Sequence, residues 1–149
     1  MSSDAGYGYI CKFSDLMVSK KAGKAALTLP KGAKVMPPLM VENYDQDQIV
    51  AVTNEGRMLV FPIKDLPTLA KGKGNKIIGI PSGRVMTREE FVISLTVVPP
   101  EGKVKVHSGK RHLLLKSADL AHYVGERGRR GSKLPRGFQR VDALTLEGE

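Results

Sequence analysis

QIVAVTNEGRMLVF, residues 48–61, is two runs of β-branched and aliphatic residues parted by Thr53-Asn54-Glu55-Gly56. Branched side chains suit a pleated surface, and the polar stretch ending in glycine is turn chemistry, so the segment predicts a β-hairpin. KVKVHSGKRHLLLK, residues 103–116, repeats the plan, with apolar and polar residues alternating from Lys103 to His107. Fixed landmarks extend the repeat. Asp15-Leu16, Asp65-Leu66 and Asp119-Leu120 recur 50 and 54 residues apart. Gly6, Gly56 and Gly109 precede those aspartates by nine or ten residues, and Gly23, Gly74 and Gly128 follow them by eight or nine. Pro30, Pro81 and Pro135 each lie seven residues further on. Landmarks in register across three copies mark a repeat architecture, with approximate copies 1–47, 48–101 and 102–149.

Each copy reads as strands. After the hairpin comes a short segment ending in Asp-Leu, one helical turn at most, with the aspartates capping local turns. A glycine-rich basic loop follows, then a run such as ALTL or KIIGI that ends at proline, which cannot donate to a ladder. Further strands are expected in VMPPLMV, FVISLTVV and VDALTL. Four strands in about fifty residues, repeated, is the signature of a propeller-like array. The predicted fold is therefore all-β, a single domain over residues 1–149 of about three four-stranded blades. Three blades are fewer than a closed propeller usually has, and no strand is expected before Gly6. The chain thus reads as part of a longer array, or as one whose VDALTL strand completes the first blade; either leaves an exposed edge.

The charge is lopsided. Lys and Arg number 24 against 15 Asp and Glu, a formal net charge of +9. Residues 103–140 hold eleven Lys or Arg against only Asp119 and Glu126. Such a field calls for a polyanionic partner or an acidic surface. GERGRRG, residues 125–131, is too polar for a core and too rich in glycine for a helix, so it predicts a surface loop.

Other classes are disfavoured. Cys11 alone cannot form an internal disulfide, suits a reducing cytoplasm, and reads as a buried inert thiol in an apolar run. His107 and His112 flank a hairpin turn without a Cys or carboxylate cluster, so no metal site is expected. KGKGNK, residues 71–76, lacks the Ser/Thr and following helix of a nucleotide loop. No catalytic residue and no cofactor is expected. No secretory leader or membrane-length apolar run is evident. Base-specific motifs are absent, and with no Trp and few aromatics a single-strand or RNA stacking platform is disfavoured.

Through SDAGYGYICKFSDL, GRMLVFPIKDLPTLAKGKGNKI and VGERGRRGSKLPRGFQRVD the chain resembles the C-terminal domain of the A subunit of bacterial type IIA topoisomerases, most of all the topoisomerase IV (ParC) branch. The resemblance runs through all 149 residues. It implies a β-pinwheel, a propeller relative whose blades share strands, that bends or wraps duplex DNA on a basic rim. The gyrase branch carries a Gln-basic-Arg-Gly-Gly-basic-Gly box. GERGRRG keeps Arg127, Gly128, Arg130 and Gly131 but has Gly125, Glu126 and Arg129 elsewhere, and KGKGNK is similarly degenerate. That departure favours gripping a bent segment for relaxation and decatenation over gyrase-like chiral wrapping. The resemblance further implies an accessory role in an ATP-dependent enzyme. The cleaving tyrosine and metal site would lie elsewhere, the partners would be the A-subunit core and the B subunit, and the location would be cytoplasmic and nucleoid-associated.

Lys and Arg gain free energy on duplex DNA by releasing condensed counterions, while glycine lets the backbone approach phosphates. The candidate DNA contacts are Lys20, Lys21 and Lys24 in the first copy and Lys71, Lys73 and Lys76 in the second. The third copy supplies Lys110, Arg111, Arg127, Arg129, Arg130, Lys133, Arg136 and Arg140. Gly23, Gly74, Gly128 and Gly131 are the structural glycines. The alternative is a protein-docking module whose basic rim holds an acidic partner such as a condensin.

Overall fold

The computed structural model describes residues 1–11, 29–30, 32–36, 39–69, 73–138 and 140–147. Three hairpins carry the fold. Ser2–Ser3 (β1) pairs with Tyr7–Gly8 (β2), Gln48–Thr53 (β4) with Arg57–Pro62 (β5), and Lys103–Ser108 (β8) with Arg111–Leu115 (β9), all antiparallel. The first two turn alike. Gly6 N donates to Ser3 O and Gly56 N to Thr53 O, and both glycines have positive φ, +89° and +81°. Each hairpin gains an outer strand from its own copy: Val35–Met36 (β3) on β1, Val92–Val98 (β7) on β4 and Ala143–Glu147 (β11) on β8.

The fourth strand comes from the next copy. Asn75–Lys76 (β6) pairs with β2 of the first hairpin, and Ser132–Lys133 (β10) pairs with β5 of the second. The sheets therefore run β3-β1-β2-β6, β10-β5-β4-β7 and β11-β8-β9. This strand sharing is the pinwheel arrangement, and it means that blades and sequence copies do not coincide.

Four expectations need correction. A strand does precede Gly6, since β1 occupies Ser2–Ser3. VDALTL does not complete the first blade, because β11 pairs with β8 within its own copy. The third blade has three strands, not four, among the described residues. KIIGI is a strand only at its first residue. Ile77 and Ile78 leave the ladder and are fully buried, so the run is apolar because it enters the core rather than because it pairs.

Two cores lie between the three blades, and the middle hairpin faces both. Ile49, Ala51, Leu59 and Phe61 join one core, while Val50, Val52, Met58 and Val60 join the other. This is why β4 and β5 read as unbroken apolar runs rather than alternating ones, as expected of strands buried on both faces. In the third blade Val104 and Val106 are buried while Lys103 is exposed, hence the alternation read in Lys103 to His107. Of the Asp-Leu segments, Ile63–Asp65 is the single turn expected, a 3-10 turn, whereas the helix at Ser117–Leu120 runs on into a 3-10 turn at Ala121–Tyr123 and is longer than expected; Asp15-Leu16 lies outside the described residues. Asp119 caps its turn by accepting the Lys116 N–H at 3.0 Å. A further helix, α1 at Ser82–Met86, was not legible in the pattern.

Candidate nucleic-acid interface

GERGRRG runs along the segment Lys76 to Gly79 of the preceding copy and is fastened to it by main chain. Gly128 N donates to Ile77 O at 3.0 Å and Gly79 N donates to Arg129 O at 2.8 Å, while Gly125 N bonds to β5 instead, donating to Val60 O at 3.0 Å. Arg129 N closes a turn onto Glu126 O, and Gly128 stands third in it with φ +87°. A type II turn requires positive φ at that position, which explains the glycine. Gly131 has a different task. At φ +78° it crosses the backbone of β5 so closely that a Cβ would lie 2.5 Å from Met58 O.

Gly131, not Gly128, is the structural counterpart of Gly74. Each stands one residue before a donated two-residue strand, and each presses on a backbone carbonyl of the acceptor strand, Met58 O or Gly8 O. The next hydrogen bond also matches: Ile77 N donates to Gly6 O, and Leu134 N to Gly56 O. The landmark alignment of Gly74 with Gly128 is therefore off by three residues. A longer loop before β10 and a shorter run after it cancel, so Pro81 and Pro135 still fall in step.

The fold brings part of the expected site together. Lys73, Lys76, Arg127 and Arg129 line one open groove where the loops of two successive copies meet, with Tyr7, Gly74 and Gly128 between them. Lys73 Nζ sits 4.4 Å from the Tyr7 ring centroid, a cation–π contact that fixes its direction. Arg127 donates to Lys76 O at 2.8 Å, tying the two walls together. Arg129 is exposed and forms a two-pronged contact with Glu126 at 3.0 and 3.2 Å. Asp65 and Glu126 border Arg127 on its other side, so the groove has an acidic margin.

Lys133 and Arg130 lie instead in a neighbouring recess with Glu55, Arg57 and Arg84. Arg130 is not the free rim charge expected from the sequence. Its guanidinium donates to Gly79 O at 2.8 Å and to the fully buried Glu90 at 2.9 Å. Lys110, Arg111, Arg136 and Arg140 form a third zone at the last hairpin tip: the Arg111 guanidinium lies beside Gly137, and the Arg140 carbonyl accepts from Ser108. Lys20, Lys21, Gly23, Lys24 and Lys71 lie outside the described residues.

Sequence reasoning missed Arg57 and Arg84. Arg57 follows a turn glycine and sits directly opposite Lys133 in the β5–β10 ladder, a pairing visible only once strand donation is known. Arg84 belongs to α1 and meets Glu55, Glu89 and Glu90. At the first hairpin tip Arg88 grips the buried Asp4 at 2.7 and 3.1 Å, and that hydrogen bonding raises its pKa further.

The remaining candidates stay small. Cys11 is half-buried rather than buried. His107 Nε2 meets Thr145 Oγ1 at 2.9 Å and faces His112 across the ladder. Among the described residues no three His, Cys, Asp or Glu side chains gather as a metal would need, and no helix is long and apolar enough to cross a membrane.

Comparison with known proteins agrees with this architecture. The family described as DNA gyrase C-terminal domain, beta-propeller, matches residues 1–42 and 47–99. The A subunit of DNA topoisomerase 4 from Pseudomonas aeruginosa is 56% identical over 147 residues, and that from Escherichia coli K12 is 49% identical over 147. Each alignment covers 99% of this chain but only 20% and 19% of the relative, so the chain spans about a fifth of those proteins. The solved E. coli ParC C-terminal domain superposes with a TM-score of 0.86 at 43% identity, covering all of this chain and 60% of that one. A gyrase A C-terminal domain shares the fold, with a TM-score of 0.75 at 14% identity over 99% of this chain and 48% of that one. Strand-sharing blades, glycine-fastened basic loops and these matches together place the chain in the DNA gyrase C-terminal domain family, where it is similar along nearly its whole length to the A subunit of topoisomerase IV.

Proposed function

We propose that this chain is a non-catalytic module that binds and bends duplex DNA, holding a segment for relaxation and decatenation by the cleavage core of a topoisomerase IV. Its partners in that role are the A-subunit core and the B subunit. The observation that carries this reading is the groove between successive loops, where Lys73, Lys76, Arg127 and Arg129 from two copies converge on one surface lined by glycine backbone. Cations stepped from blade to blade track a phosphate backbone, and glycine lets that backbone come close. The groove holds one aromatic ring, already occupied by Lys73, so it supplies charge rather than a stacking platform for bases.

The test is fluorescence anisotropy on labelled duplexes of about 20 and 60 base pairs, with single strands as control. Affinity is expected to rise with duplex length, and reversing charge at Lys76 and Arg129 together is expected to weaken it at least tenfold at low salt. No duplex binding at low salt would reject the reading and turn attention to an acidic protein partner.

A further inference from the structure

Glu90 has a position that the DNA-binding reading does not use. It is fully buried, between α1 and β7, and its Oε1 accepts both Arg84 Nε at 3.3 Å and Arg130 Nη2 at 2.9 Å. Its Oε2 has no hydrogen-bond partner among the described residues, so the carboxylate depends on those two guanidinium groups. Arg84 is already shared with Glu55 and Glu89. Arg130 has no other carboxylate among the described residues, and its second contact is Gly79 O, the residue whose N–H is bonded to Arg129 O. A buried charge left without a partner is costly, so Glu90 and Arg130 hold each other in place. Arg130 is also the residue that links the turn 126–129 to the crossing at Gly131.

We propose that Glu90 is a positioning residue for the DNA-binding loop: a buried acid of one copy that clamps Arg130 of the next and so sets where Arg127 and Arg129 stand in the groove. The inference rests on the duplex-binding reading and has an unusual sign. Removing a negative charge from a polyanion binder should by long-range electrostatics tighten binding. Losing this one is expected to weaken it, because a loop whose arginines wander makes fewer simultaneous phosphate contacts.

The test compares two acid-to-amide changes that shift net charge equally. Glu101→Gln, on the exposed turn 99–102 outside the groove, is expected to leave duplex affinity unchanged or higher. Glu90→Gln is expected to lower affinity on the order of tenfold at low salt and to reduce the salt slope by about one phosphate contact. A second readout is limited trypsin digestion with fragments mapped by mass. Cleavage after Arg127, Arg129 and Arg130 should accelerate in Glu90→Gln while cleavage elsewhere does not. Should Glu90→Gln fail to fold, Arg130→Lys tests the same clamp at constant charge, because an ammonium cannot span Glu90 and Gly79 O in the same fork. It too is expected to bind more weakly.

Glu90→Gln or Arg130→Lys binding duplex as tightly as the parent would overturn the proposal. Failure of the parent chain to bind duplex would reject the functional reading and this role with it. The digestion arm would then show whether Glu90 still clamps the loop.

Discussion

Two glycines of the basic loop do separate jobs and a third, in α1, does none that needs glycine, and side-chain substitutions should tell them apart. Gly131 has positive φ and no room, with Met58 O 2.5 Å from where a Cβ would sit. Gly128 has positive φ, but a Cβ there would make only a tight approach, 3.2 Å to Lys76 Cβ and 3.7 Å to Lys76 O. Gly83 lies in α1 with nothing within 4 Å and no positive φ. Gly131→Ala is therefore expected to destabilise by about 3 kcal/mol or more and Gly128→Ala by about 1 kcal/mol, while Gly83→Ala stabilises by up to about 1 kcal/mol. Chemical denaturation of the three variants checks the order. Equal losses at Gly131 and Gly128 would contradict the backbone crossing. The sequence showed that glycine mattered here, but its spacing pointed to Gly128 as the match of Gly74. Loop length and the trailing run compensate, and only hydrogen bonds to Gly6 O and Gly56 O reveal the true register.

At the scale of elements, what was legible is what is local. The hairpins at 48–61 and 103–116 declared themselves because both strands and the turn are contiguous, and their different patterning reports burial on two faces or one. The donated strands were not legible, because two residues carry no periodicity and the acceptor lies more than fifty residues away in sequence. A separation of 40 residues likewise hid the Glu90–Arg130 clamp, whose partners sit in different copies. One consequence concerns unequal stability. The middle hairpin is paired on both edges and buried on both faces, whereas β9 has no second neighbour among the described residues. Backbone amides of Val50, Val52 and Val60 are expected to show the slowest hydrogen exchange, and the solvent-edge amides of β9 exchange near the fast limit. Protection in β9 equal to that in β4 would mean that something covers that edge in solution.

At the scale of the whole molecule, the positive charge of the described residues is not one continuous belt. It divides into the groove of Lys73, Lys76, Arg127 and Arg129, the recess where arginines are largely spent on glutamates, and the last hairpin tip. A formal charge of +9 thus overstates what is free to meet phosphate, since Arg84 and Arg130 are committed to Glu90 and Arg88 to Asp4. The most direct measurement is the dependence of duplex affinity on salt, for the parent and for a variant carrying Lys73→Ala, Lys76→Ala and Arg129→Ala. If these three side chains contact phosphates, the slope of log affinity against log salt is expected to become shallower by about 2.7 in the variant, with melting temperature little changed. An unchanged slope in a folded variant would show that the duplex does not lie in this groove.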